Sequence, residues 1–547
     1  MSTNEAYACL DKLLANFGAS RENGKSTIIF TNPVSPSFHG SKINLSLVGS
    51  IPSTACAVLA SQIHESRTGQ SQIITTDLSR GSSYIDPDEG MTPSLNGQEI
   101  PVDVVIGNPF LRNIFETKDG RFVVLSAVYV DLVYKWLTFL GCGPEEGDVR
   151  ERVRRWESDT AKAGLPAALV HSEEEWAATP QGSYLHSKPI VPITKVNSTP
   201  PIPWPSQTTT SASTARPLQG IKVLCATHAI AGPSAGRTLA EHGASVLQIM
   251  FTHGFEHAFV YNNANLGCAS ARLNFHKVAD VQRMWELIHD ADVWVDSYRD
   301  GALAKFGFTD EKMTERNGKL IISHVRCFGY GSPWGDRAGF DMQGSAASGM
   351  MAYCGEGALK PKWPQASVIN DYTTGFLGAL AILSTLLRRS QEGGAYVLAP
   401  SLVGTAMSIL KYFKATPSSS ASPSPSSSLT ILPSQPHAVP SPPYQISRQT
   451  ALGYLRTWAP LPQLSLTPAR YDPILLVPIG SSLPCFPGSE EGFKVESVEA
   501  RSKKNLVGDV AVGVLRKLKQ LKEMREELEG LGENECREFP EKLLLLG

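Results

Sequence analysis

The chain reads as an α/β protein, a Rossmann-like doubly wound parallel sheet with a smaller α+β domain beside it. Three observations predict this. Between residues 217 and 405, short apolar runs alternate with helical stretches, the pattern of βαβ units. Within Phe115 to Phe122, an Asp119-Gly120 turn separates two alternating runs, a hairpin signal outside that series. Val368 to Gly375 opens an apolar-faced helix that stops at Gly393-Gly394 and leads into a short strand from Ala395 to Ala399.

In chain order, residues 1–103 form an N-terminal segment containing a weak repeat of that last unit. Setting 53–78 against 377–402, an offset of 324, pairs Ala55/Ala379, Ala57/Ala381, Leu59/Leu383, Ser66/Ser390, Gly69/Gly393 and Leu78/Leu402. Any helix–Gly–strand unit shares part of this pattern. If the repeat is real, Leu47 stands where Asp371 does. Residues 104–193 form the small α+β domain, with a capping box at Ser172 and Glu175. Residues 194–216, rich in Pro, Ser and Thr, read as a linker.

The Rossmann-like domain is predicted over 217–410. Its strands are Ile221 to Ala226, Ser245 to Phe251, Val293 to Val295 and Leu320 to Val325, and a helix begins at Gly232-Pro233 and ends at His242-Gly243. Residues 411–445 are a Ser/Pro-rich low-complexity insertion. The C-terminal segment, 446–547, carries a charged helix over Leu506 to Leu528.

At 547 residues the chain exceeds one hydrophobic core. A net charge of −2 without a basic stripe argues against nucleic acid as a partner. The nine cysteines lie far apart with no CxxC pair, which argues against a metal site or a disulfide framework and for a reducing compartment. The N-terminus has no signal-peptide pattern, and no unbroken apolar stretch of about 18 residues occurs. A cytoplasmic protein without a membrane partner is therefore expected.

Asp371 admits two readings. A lone aspartate at a helix start is usually a cap, accepting orphan backbone N–H groups. The same geometry would hold a carboxylate ionised and pointing outward, as a carboxylate nucleophile requires.

Several blocks together resemble the family III CoA-transferases, also called the CaiB/BaiF family. They are Pro217 to Leu224; Ala231-Gly232-Pro233 with Gly236 to Ala240; Ala291 to Asp296 with Gly301-Ala302-Leu303; Phe328 to Trp334 with Arg337 to Asp341; and the Asp371 unit. Residues 40–190 resemble the second half of the same family, so the chain looks like a rearranged or partly duplicated member. The resemblance implies an acyl-CoA:carboxylate CoA-transferase. Asp371 would attack the thioester of an acyl-CoA donor, a carboxylic-acid acceptor would exchange in, and coenzyme A would be a substrate with no metal required. It also implies a homodimer. CoA contacts would fall at Ala231, Gly232, Leu273, Asn274, Tyr298, Arg299, Lys305, Arg337, Gly339 and Phe340, each of which also has an ordinary structural reading.

Some motif positions depart from the family. Met250-Phe251 stand where an acidic residue and a base are usual, and Cys225 where an aspartate is common. The glycine-rich active-site loop is not evident, and Gly107-Asn108-Pro109 lies in its place. A 2-methylacyl-CoA racemase needs a histidine where Phe340 precedes Asp341, and phenylalanine cannot move a proton. A nicotinamide dehydrogenase is opposed by Thr227 to Pro233, which contain no GxGxxG. A non-catalytic acyl-CoA binder is the remaining alternative.

Overall fold

The computed structural model describes residues 3–32, 41–101, 108–111, 113–153, 157–206, 216–252, 254–415 and 444–488. All of these belong to one compact unit, Met1–Phe493. Residues 416–443 of the Ser/Pro-rich insertion, the charged helix and Gly107 of the expected active-site loop lie outside the described residues, whereas Lys411 and Tyr412 end a helix and Gln445 begins a strand.

Seven strands form the central sheet, in the order Ala269–Leu273, Ser245–Phe251, Lys222–Ala226, Val293–Asp296, Ile321–His324, Tyr396–Leu398, Ile193–Lys195. Every neighbouring pair is parallel except the last. The doubly wound sheet is thus as predicted. Side chains alternate between the two faces because successive Cβ atoms in a strand point oppositely. Val223, Cys225, Val293 and Val295 enter one hydrophobic cluster, whereas Leu224, Ala226 and Trp294 enter the other.

The winding reverses at Lys222–Ala226. From there the chain builds outward one way through two strands, then returns to lay Val293–Asp296 on the opposite side. The strand ends at Ala226 and Asp296 therefore diverge into a crevice, the usual ligand position in such sheets.

Two boundaries differ from the sequence reading. Ile193–Lys195 pairs antiparallel with Tyr396–Leu398, so the sheet extends into the stretch read as a linker. Three residues are too few to show an alternation. The segment after 446 also folds back: Gln445–Thr450 and Gly453–Trp458 form a hairpin that pairs with Ser94–Leu95, and Pro462–Leu464 pairs with Ile73–Asp77. In the small domain, the hairpin Phe115–Glu116 with Phe122–Leu125 forms as expected, as does the Ser172/Glu175 capping box.

Beside the sheet lie two 24-residue helices, Leu45–Thr68 and Ile369–Glu392, which pack on each other. They are related by the offset of 324 found in the sequence. Gly69 and Gly393 stop them, both with positive φ, and Ile73–Asp77 and Tyr396–Leu398 follow. The second helix also packs on Ala231–Glu241. Gly375 makes that approach close, since a Cβ there would fall 2.6 Å from the Ser234 side chain.

The first helix corrects one expectation. By length and composition Leu45–Thr68 is apolar enough to cross a membrane, although no unbroken apolar run reveals it; its apolar window is wholly buried inside the protein. Its polar residues tolerate burial because Ser53 and Thr54 donate to the carbonyls of Gly49 and Ser50 within the helix.

A buried carboxylate ties three segments together. Glu241 accepts hydrogen bonds from Tyr84 and Tyr471 at 2.5 Å each, and Arg237 lies 3.4 Å away. Such a group is tolerable in a core only when paired and hydrogen-bonded, as here.

Candidate functional site

The start of the Asp371 helix is capped from a distance. Val368, in the cap position, makes no side-chain cap bond. Instead Asp341, the first residue of Asp341–Ala347, accepts the backbone N–H groups of Asn370 and Asp371 at 2.7 and 2.8 Å. Its other oxygen accepts the Asn370 side-chain amide at 2.9 Å. Asp341 therefore satisfies the orphan donors that the lone-aspartate reading would have left to Asp371. The Asp371 carboxylate accepts no hydrogen bond from a described residue and faces open space.

That freedom has an electrostatic cost. Burial, with the Asp341 and Glu256 carboxylates nearby, pushes the Asp371 carboxyl well above the ordinary carboxylate range. Asp341 is also shifted upward by burial, but its hydrogen bonds favour the anion. We assign the charge of this pair to Asp341 and the proton to Asp371. The helix start alone predicted an ionised Asp371; desolvation and two acidic neighbours oppose that ionisation.

Asp371 stands between two cavities of opposite character. One, of about 60 Å³, opens at the crevice where the winding reverses, and His228, Ser297, Arg299, Arg326 and Arg337 supply its polar wall. The other, of about 100 Å³, is walled by apolar groups including Ile230, Phe259, Phe340 and Trp363. Asp371, Phe340 and Ala229 border both.

On the basic side, the Ala231–Glu241 helix presents its first turn to the cavity, and its cap residue Ile230 makes no side-chain cap bond. Free N–H groups at a helix start attract anions. Arg326 is held by Asp296 at 2.7 Å and Asp300 at 2.8 Å. His324, raised to about 9 by the Asp296 carboxylate, braces Asp296 at 2.6 Å and Asp310 at 2.9 Å. The Arg337 guanidinium lies 3.8 Å from the centre of the Trp334 ring. His228 is neutral at pH 7, because burial and the nearby arginines lower it to about 4.

Of the residues assigned to CoA contact, the cavity brings together Ala231, Gly232, Arg299, Arg337, Gly339 and Phe340. Tyr298 stands behind its wall, 4.9 Å from the His228 ring. Phe251, in one of the departing positions, packs against Tyr298 at 4.6 Å. Leu273 is buried in the core, Asn274 caps the turn before His276, and the Lys305 ammonium lies over the Phe306 ring. Leu273 ends the outermost strand of the sheet, two strands removed from the crevice.

Sequence reasoning missed Glu256 and Tyr129. Glu256 accepts the Ala229 N–H at 2.8 Å and the Tyr129 hydroxyl at 3.1 Å. Tyr129 belongs to the small domain, so that domain walls the apolar cavity. Neither residue sits in a motif; only the packing of distant segments joins them.

Residues 218–438 match the family model described as CoA-transferase family III. This segment belongs to that family. An acetyl-coenzyme A transferase of Hypoxylon pulicicidum is 31% identical over 314 residues, covering 52% of each chain. An acyl-CoA transferase of Gibberella moniliformis is 29% identical over 315 residues, covering 52% of this chain and 53% of the relative. The chain thus spans about half the length of these curated relatives. A crystal structure of a CaiB/BaiF family protein from Brucella suis aligns with 26% identity and a TM-score of 0.33, over 36% of this chain and 55% of that one.

Proposed function

We propose that this chain is an acyl-CoA:carboxylate CoA-transferase with Asp371 as its nucleophile. The observation that carries the reading is the position of a carboxyl group, without a hydrogen bond from a described residue, between a basic cavity and an apolar one. Phosphate groups of CoA suit the arginines and the helix start, and an acyl group suits the apolar side. The thioester joining them would then lie at Asp371.

The reaction balances as a double exchange. The Asp371 carboxylate attacks the thioester carbonyl, forming a mixed anhydride and releasing the CoA thiolate. Attack of that thiolate on the Asp371 carbonyl releases the donor acid and leaves an aspartyl thioester. The acceptor carboxylate repeats both steps in reverse and departs as the new acyl-CoA. Covalent capture splits one difficult exchange into easier ones, and fixed alignment compensates for a weak nucleophile.

Asp371 must lose its proton before attack. Cationic groups in the basic cavity and displacement of water favour the reacting geometry once donor binds. A racemase is disfavoured because Phe340 offers no proton-transfer group beside Asp341. We also read the paired 24-residue helices as the trace of a rearranged duplication in which one copy kept the carboxylate.

The test is intact-protein mass after incubation with acyl-CoA, trapped with hydroxylamine or borohydride. An adduct mapped to Asp371 supports the reading. CoA binding without any adduct would favour a non-catalytic acyl-CoA binder.

A further inference from the structure

The apolar cavity limits what kind of acyl group can reach Asp371. Its walls come from four separate places in the chain: Val128 before a small-domain helix, Ile230 at the end of the crevice loop, Phe259 and Val260 on Ala258–Ala264, and Met342 and Trp363 near the Asp371 helix. Among the described residues that line it, none is Lys, Arg or His. The titratable groups that do reach it, Asp341, Asp371 and Tyr129, are acidic or neutral. Glu256, which holds Tyr129, adds another carboxyl just behind the wall.

A second carboxylate on the substrate would meet apolar walls and like charge there. It would lose its hydration without gaining a cation from the described lining residues, and buried charges without a partner are strongly disfavoured. Among the described residues, the arginines that border the two cavities, Arg299, Arg326 and Arg337, are on the other side of Asp371, where the CoA phosphates would compete for them.

We propose that this site takes apolar acyl groups of monocarboxylic acids and excludes acyl groups bearing a second carboxylate. The proposal rests on the transferase reading above and names its substrate class. It follows from the lining of the cavity rather than from the nucleophile.

The experiment uses the full chain and measures the rate of Asp371 adduct formation by trapped intact mass. Donors are matched in size: isovaleryl-, hexanoyl- and phenylacetyl-CoA against succinyl- and glutaryl-CoA. The apolar set is expected to react faster by roughly 100-fold or more, the discrimination that an unpaired buried charge brings. Met342→Lys adds a cation to the lining and is expected to narrow the gap to the dicarboxylic donors.

Equal or faster labelling by succinyl- or glutaryl-CoA would overturn the substrate class while leaving Asp371 as the nucleophile. No adduct from either set would instead sink the transferase reading, and this inference with it.

Discussion

Two helices of equal length lie side by side in this molecule and begin in opposite ways. The Leu45–Thr68 helix is closed locally: Asn44, in the cap position, accepts the Leu47 N–H through its own side chain. Leu47 points into the core and is 2% exposed. The Ile369–Glu392 helix is closed from 30 residues away by Asp341, which leaves Asp371 with no structural task. A helix start that caps itself is finished structure. One capped by another element has a side chain to spare, and in a doubly wound fold that side chain can be aimed at the ligand crevice.

The comparison can be broken most directly at its catalytic end. Asp371→Asn is expected to reduce transfer by at least about 1,000-fold while the thermal melt stays close to that of the parent, because a transition-state nucleophile is lost and the cap is not. Substantial transfer by that variant would remove Asp371 from its role.

Exchanging the two side chains should move stability in opposite directions. Leu47→Asp places an unpaired carboxyl in the core and is expected to cost about 3 kcal/mol or more by chemical denaturation. Asp371→Leu removes a carboxyl whose ionised form is desolvated and is expected to be neutral or slightly stabilising at pH 7. Equal penalties would mean that both helix starts are structural.

The proton on Asp371 sets a pH dependence. Its carboxyl is raised in the folded protein, so folding contributes most below the unfolded carboxylate pKa of about 3.9, and that contribution is lost as pH rises towards the folded value. The rate of the first half-reaction should rise as pH passes through the folded value, where the nucleophile ionises. Asp341→Asn removes the neighbouring charge and keeps an oxygen for the helix N–H groups. It is expected to shift the acidic limb of the rate profile to lower pH, whereas an unmoved limb would mean that Asp341 acts only as a cap. The smallest effect is expected from Asn44→Ala: about 1 kcal/mol of stability, with transfer unchanged.

How much of this was legible depends on how local each feature is. The strand Ser245–Phe251 is read from its own residues, and Lys222–Ala226, Val293–Asp296 and Ile321–His324 shift by only a residue at their ends, because apolar runs between helical stretches define them. Ala269–Leu273 was not read, since Ser270 and Arg272 interrupt its apolar residues and only pairing with Leu247 to Phe251 makes it a strand. Asp371 was visible through the block around it, but its protonation was not. That property comes from Asp341 and Glu256, which no short window contains. Lys305 illustrates the converse: a cation after a crevice strand suggested a phosphate contact, and its ammonium instead rests on its neighbour's ring.

The knot of hydrogen bonds at Glu241 has a consequence for how the protein is made. Tyr84 leaves the ribosome long before Glu241, and Tyr471 long after it. Throughout that interval the nascent chain carries a buried-type carboxylate lacking one of its donors. The helix bearing Glu241, whose first turn borders the basic cavity, gains this full set of partners only once Tyr471 has been made. Contacts of such sequence separation form slowly, so a chain cut before Tyr471 would contain every described residue of the crevice and still lack one donor to Glu241.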